Sequence, residues 1–275
     1  MRKLRAALIL MVFFVFTVPL MSVQLVLRFL NPHWARAFPH WYHRQVCRLL
    51  GVTIHLSGQL AEDRPVLLIA NHISWVDIPV MSSVVPASFV AKSEVSTWPF
   101  ISWLAKLQAT VFVDRTQPHR AGSSANEIMA RLRDGDHIVI FAEGTTSDGN
   151  QVLPFKTSLF AVAKPGRAEA NAMHNGIYVQ TMAIAYTRQQ GLPLCRRGRP
   201  IIAWYGDMKI ASHAWQLLKR GPLDVHVHIG ASVKLDDFKD RKHLAAFTHG
   251  EVRDAVADIL APRKEAASEG LSDKG

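Results

Sequence analysis

The run Asn71-His72-Ile73-Ser74-Trp75-Val76-Asp77 sets an imidazole and a carboxylate a short turn apart, a pair able to take a proton from a hydroxyl. Free imidazole titrates near pH about 6.5, so at neutral pH most of it can accept that proton. The carboxylate would fix the tautomer and stabilise the imidazolium that forms. No G-x-S-x-G elbow, which would supply a serine nucleophile, occurs in the chain. The attacking hydroxyl therefore belongs to a substrate. On spacing alone a structural His and Asp in a polar turn would look the same, so this chemistry needs support from elsewhere in the chain.

That support comes from the elements that must position the pair. Val66-Leu67-Leu68-Ile69-Ala70 is a continuous apolar run, the pattern of an interior strand covered on both faces. His72 then sits just past a strand's carboxyl end, where open α/β sheets build their sites. Two further apolar runs end in the same way. Val111-Phe112-Val113 leads into Asp114-Arg115, and Ile138-Val139-Ile140-Phe141-Ala142 into Glu143-Gly144-Thr145-Thr146-Ser147. Polar residues converging at three strand ends point to a site rather than to three accidents of core formation.

This ordered set resembles the glycerolipid acyltransferases of the 1-acyl-sn-glycerol-3-phosphate acyltransferase (lysophosphatidic acid acyltransferase) family, whose signature is N-H-x4-D, then F-[IV]-D-R, then F-P-E-G-T-R-S. The match spans about residues 50 to 190. The resemblance implies that His72 is the base and Asp77 its orienter, that Arg115 contacts a substrate phosphate, and that Glu143, Gly144 and Thr145 shape the acceptor site. It further implies transfer of an acyl group from acyl carrier protein or coenzyme A to a lysolipid, with no metal and no cofactor. Ala142 replaces the usual proline, a tolerable change. Thr146 stands where the family usually has a second phosphate-binding arginine, and a threonine hydroxyl brings neither the charge nor the fork of a guanidinium. Lys92 and Lys156 are possible substitutes; alternatively, the acceptor head group is not a plain phosphate monoester. The first reading is thus phosphatidate synthesis at the sn-2 hydroxyl of 1-acylglycerol-3-phosphate, and the alternative is O-acylation of lyso-ornithine lipid.

The amino terminus independently points to a membrane. From Ala6 to Leu27 there is no charged residue, and as a straight helix that run would reach roughly 33 Å, enough for the hydrocarbon core. Pro19 lies within it, so a helical hairpin entering one leaflet is as plausible as a single span. A cleaved signal peptide shares the basic start and apolar middle, but the apolar region is long and no small-x-small site follows. Trp34, Trp41 and Tyr42 suit an interfacial belt or packing onto the globular domain equally. The division expected is an anchor and interfacial helix over 1–48, an acyltransferase domain over 49–261 and a disordered tail over 262–275. The resemblance places the catalytic domain on the cytoplasmic face of a bacterial inner membrane.

The formal net charge of +10 suits an acidic partner such as anionic lipid or acyl carrier protein. Nucleic acid is disfavoured, since there is no zinc-finger spacing and no helix with a concentrated basic face. The two cysteines, Cys47 and Cys195, form neither a redox nor a metal-ligand pair. His226 and His228 share one face of a strand, but Val225, Val227 and Ile229 explain that alternation as a core face. Strands are expected at 53–56, 88–91 and 178–186, a strand and turn over 201–207, and helices at 99–108, 124–133, 159–164 and 211–220. Trp204, Tyr205 and Trp215 could line an acyl-chain channel. The fold class is α/β: a mixed, largely parallel sheet with helices on both faces, behind a membrane-inserting helix or hairpin. A hydrolase would use the same base on water, and net thioester cleavage without an acceptor would reveal it. A non-catalytic lipid-binding protein has no need of the His–Asp pair.

Overall fold

The structure, a computed structural model, describes residues 1–61, 64–114, 118–163 and 177–261, apart from the side chains of 118–124 and 161–163. Arg115 and the 262–275 tail lie outside the described residues. The strands are β1 Val52–Ser57, β2 Val66–Ala70, β3 Ala87–Lys92, β4 Val111–Val113, β5 His137–Phe141, β6 Tyr178–Gln189, β7 Leu192–Pro193, β8 Leu223–Ile229 and β9 Val233–Lys234. They form one sheet in the order β1-β8-β6-β2-β5-β3-β4, with β7 and β9 also on β6. From β6 through β4 every neighbour is parallel, while β6 meets β7, β8 and β9 antiparallel. The sheet is mixed and largely parallel.

All five residues of β2 are fully buried. Val66, Leu68 and Ala70 enter one core, with Val80 and Met81 of the Asp77–Val84 helix (α3); Leu67 and Ile69 enter the other, with Ile128, Met129 and Leu132 of the Pro118–Arg133 helix. Two-sided burial is the physical reason this strand shows no alternation of polar and apolar residues. The parallel register sets Ala70 opposite Phe141 and Val90 opposite Ile140, so the carboxyl ends of β2, β5 and β3 share one edge.

The amino-terminal break falls at Asn31 and not at Pro19. Helix α1 runs unbroken from Arg2 to Leu30, and α2 from Pro32 to Leu50. The Asn31 side chain accepts from the Trp34 N–H, Pro32 begins the next helix without needing a partner for an N–H, and Gly51 ends it at φ 74°. These two helices dock on the domain. Arg5 donates to the Leu218 carbonyl, Thr17 bonds Tyr42, and Gln24 donates to the Leu107 carbonyl, so α1 is tied down along its length. Tyr42 thus packs between the helices, where it also stacks on Phe16, while Trp34 and Trp41 are exposed. The polarity of α1 is inverted relative to a helix in water: Thr17 and Gln24 face the protein, and Leu4, Leu8, Met11, Val15, Val18 and Val26 face outward.

Two expectations need correction. Residues 201–207 are no strand: Arg199–Ile201 is a 3-10 turn, after which Ile202 and Ala203 are buried and Trp204 donates its N–H to the Ile73 carbonyl. Buried apolar residues in a turn carry the same composition as a ladder strand, and Pro200 fits the first positions of this turn. Trp215 packs against the small cluster that Ala6 and Ile9 of α1 form with Leu218, so it takes part in the docking of that helix.

Candidate active site

His72 leaves β2 two residues after its last member, and Asp77 opens α3. His72 Nδ1 lies 2.7 Å from Asp77 Oδ2. The same oxygen accepts from the N–H groups of Ile73 at 2.6 Å and Ser74 at 2.9 Å, and Oδ1 accepts from the Tyr186 hydroxyl at 2.7 Å. Four donors converge on a carboxylate with no exposed surface, which compensates its burial. Because an ionised carboxylate only accepts, Nδ1 carries the hydrogen and Nε2 keeps its lone pair. The His72 side chain is 16% exposed, and its ring stacks on Phe141 at 3.9 Å.

The loop bearing the base is held at its backbone. His72 N–H donates to Glu143 Oε1 at 2.9 Å, and the His72 carbonyl accepts from Ser147 N–H at 2.8 Å. Asn71 extends the β2–β6 pairing with its side chain, giving an N–H to the Ile184 carbonyl and accepting the Ile184 N–H. At the other end of α3, His40 Nδ1 meets the Ser82 carbonyl and Arg44 Nε donates to that of Ser83. Helix α2 thereby steadies the helix that carries Asp77 and satisfies its terminal carbonyls.

Glu143 is almost fully buried, with Oε1 on His72 N–H and Oε2 on Leu153 N–H. Both oxygens are occupied by backbone, so it shapes the site from behind the loop. Burial pushes its carboxyl up to about 8, against the pull of those two N–H groups and with the Asp77 charge adding to the rise. A carboxyl raised in the fold holds its proton more tightly there than in the unfolded chain. Its contribution to stability is therefore full below about pH 4.5 and lost as pH rises toward about 8. Glu143→Gln should flatten the fall in melting temperature across that window; an unchanged slope would show that Glu143 does not drive it.

Gly144 turns the chain at φ 68°, a left-handed conformation that favours glycine. Thr145 is exposed and Thr146 half-buried. The N–H groups of Ile73, Ser74, Gly144 and Ser147 all have acceptors, whereas those of Thr145 and Thr146 have none among the described residues. Lys156 gives its N–H to the Ala142 carbonyl and leaves its side chain exposed. Lys92 ends β3 opposite Val113, on the edge that carries His72 but two strands away, roughly 10 Å at ordinary strand spacing. A cavity of about 500 Å³ lined by Arg36, Ser88, Gln108 and Asp136 lies at the amino ends of β3 and β5, the opposite edge of the sheet, and is separate from this site.

Sequence reasoning did not single out Tyr186. Its only signal is a hydroxyl following the apolar Met182–Ala185 stretch. Arg199 was also missed: the 3-10 turn brings it to the 147–150 loop, where Nη1 donates to Asn150 Oδ1 at 3.3 Å.

A mostly parallel α/β sheet with a carboxylate-held histidine at a strand end, behind an outward-apolar helix, defines an α/β enzyme scaffold with an apolar amino-terminal helix. The chain belongs to the acyltransferase family, whose sequence model matches residues 51–185. It is 41% identical over 266 residues to the lyso-ornithine lipid O-acyltransferase of Rhizobium meliloti, covering 97% of this chain and 90% of that protein. It is 30% identical over 203 residues to the 1-acyl-sn-glycerol-3-phosphate acyltransferase of Neisseria meningitidis, covering 73% and 74%. The fold matches the crystal structure of the 1-acyl-sn-glycerophosphate acyltransferase PlsC from Thermotoga maritima, with a TM-score of 0.66 at 20% identity over 94% of this chain and 98% of that one.

Proposed function

We propose that this chain is a membrane-bound O-acyltransferase that acylates the free hydroxyl of lyso-ornithine lipid. The observation that carries acyl transfer is the 2.7 Å bond from His72 Nδ1 to Asp77, which leaves Nε2 as a proton acceptor. His72 Nε2 takes the proton of the acceptor hydroxyl as that oxygen attacks the carbonyl carbon of an acyl thioester. The tetrahedral oxyanion is met by the N–H groups of Thr145 and Thr146. Collapse expels the thiolate, which leaves as a thiol with the proton carried by His72. Asp77 stabilises the imidazolium between these steps. Acyl carrier protein or acyl-coenzyme A supplies the thioester, and the basic surface suits either acidic carrier.

The choice of acceptor rests on Thr146, which withholds the guanidinium that a phosphate monoester would meet, and on the near full-length similarity to a protein named for lyso-ornithine lipid. Synthesis of phosphatidate from 1-acylglycerol-3-phosphate is the second reading, favoured by the order of the three motifs and by the Neisseria meningitidis relative. The outward apolar face of α1 lies in the bilayer, and the domain sits on the cytoplasmic face, where thioester donors are made. Residues 1–48 then serve as anchor and 49–261 as the catalytic domain.

Purified protein offered labelled acyl donor with lyso-ornithine lipid and lysophosphatidate in parallel should acylate the first. Exclusive use of lysophosphatidate would install the second reading, and thioester cleavage without any acceptor would make the chain a hydrolase.

A further inference from the structure

Two segments bonded to the His72–Ser74 loop carry opposite charges that do not pair with one another. Ser147, bonded to the His72 carbonyl, begins the segment that carries Asp148. Gly149 keeps that segment close to the base's loop: it has φ +79°, and a Cβ there would stand 3.2 Å from Ile73 Cγ2 and 3.6 Å from Arg199 Cβ. The turn bearing Arg199 is tied to the same loop, since Trp204 N–H bonds the Ile73 carbonyl at 2.9 Å. Asn150 joins the two charges. It donates its side-chain N–H to Asp148 Oδ2 at 3.0 Å and its backbone N–H to Oδ1 at 2.9 Å, and it accepts from Arg199 Nη1 at 3.3 Å. Asp148 and Arg199 are thus held one amide apart instead of forming a direct ion pair. Arg199 Nε is buried without a partner among the described residues and Nη1 makes a long 3.3 Å bond to Asn150, so the protein leaves this guanidinium incompletely satisfied.

We propose that Arg199 and Asp148 form the head-group subsite for a zwitterionic amino-acid acceptor, Arg199 receiving its carboxylate and Asp148 its ammonium. The inference rests on the acceptor reading above and gives it residues. An ornithine acylated on its α-nitrogen presents those two groups, one at each end of a short alkyl chain. A guanidinium fork matches the carboxylate, and a carboxylate matches the ammonium. A phosphate monoester dianion would meet Arg199 beside a repelling aspartate, and Thr146 adds no cation to it. Arg199 therefore takes over, from 53 positions further along the chain, the anion-binding task that the third motif has lost.

The test is steady-state kinetics with lyso-ornithine lipid and with lysophosphatidate for the full chain and for Arg199→Gln, Arg199→Lys and Asp148→Asn. Arg199→Gln should raise KM for lyso-ornithine lipid about tenfold or more, a larger effect than on kcat, and Arg199→Lys should recover part of it. Asp148→Asn should lower the ratio of kcat/KM for lyso-ornithine lipid over lysophosphatidate by about tenfold. A purely structural role for either residue would weaken both acceptors alike, so an unchanged ratio in Asp148→Asn together with equal losses in Arg199→Gln overturns the subsite while leaving the acceptor assignment standing. A wild-type chain that acylates lysophosphatidate alone overturns the assignment and the subsite together.

Discussion

His72→Ala will reduce acyl transfer by about two to four orders of magnitude, the range a positioned general base supplies. The physical reason is that the acceptor is an aliphatic hydroxyl, a weak nucleophile until its proton has somewhere to go. Nε2 is the one nitrogen of His72 left to take it, since Nδ1 is committed to Asp77 at 2.7 Å. The fold should survive the change. The imidazole contributes a stack on Phe141 and a single bond to Asp77, which keeps its other donors from Ile73, Ser74 and Tyr186. Turnover with saturating donor and acceptor, read beside a thermal melt, makes the check, and near-normal turnover in a folded variant would remove His72 from the mechanism.

Asp77→Asn should cost about two to four orders of magnitude as well, through charge rather than through loss of the loop. The amide oxygen can replace Oδ2 as acceptor for His72 Nδ1–H and for the N–H groups of Ile73 and Ser74, and its NH2 can face a rotated Tyr186 hydroxyl. The ring then keeps its tautomer, and the imidazolium formed during attack loses its counter-charge in a buried setting. Tyr186→Phe separates these effects. It leaves Asp77 charged but strands Oδ1 without a donor, which should cost about 1–3 kcal/mol of stability and far less activity than Asp77→Asn. If the two variants lost activity equally, the role of Asp77 would be positional, and electrostatic stabilisation would be the wrong account of it.

The His72–Asp77 pair was legible because its signals are local. A strand buried on both faces must be apolar at every position, so Val66–Ala70 announces itself, and a polar pair just beyond it stands out. Motif order reached Glu143 and Gly144, and the uncharged stretch of α1 pointed to a lipid surface by composition alone. The brace role of Glu143 was hidden, since a carboxylate in a motif looks the same whether it faces a substrate or two backbone N–H groups. Residues 201–207 misled for a related reason: apolar composition reports burial, and burial beneath a loop is indistinguishable from burial in a ladder.

By itself, then, the sequence determined the α/β class, the His72–Asp77 pair, the strand that presents it and an apolar amino terminus, all properties of residues near one another in the chain. Only the tertiary structure decided what surrounds that pair. Tyr186 reaches Asp77 across 109 positions, and Arg199 comes to Asn150 across 49. Contacts of that separation depend on sheet order, on the antiparallel β6–β8 pairing and on a turn whose residues carry no periodic signal, and none of these is encoded by local spacing.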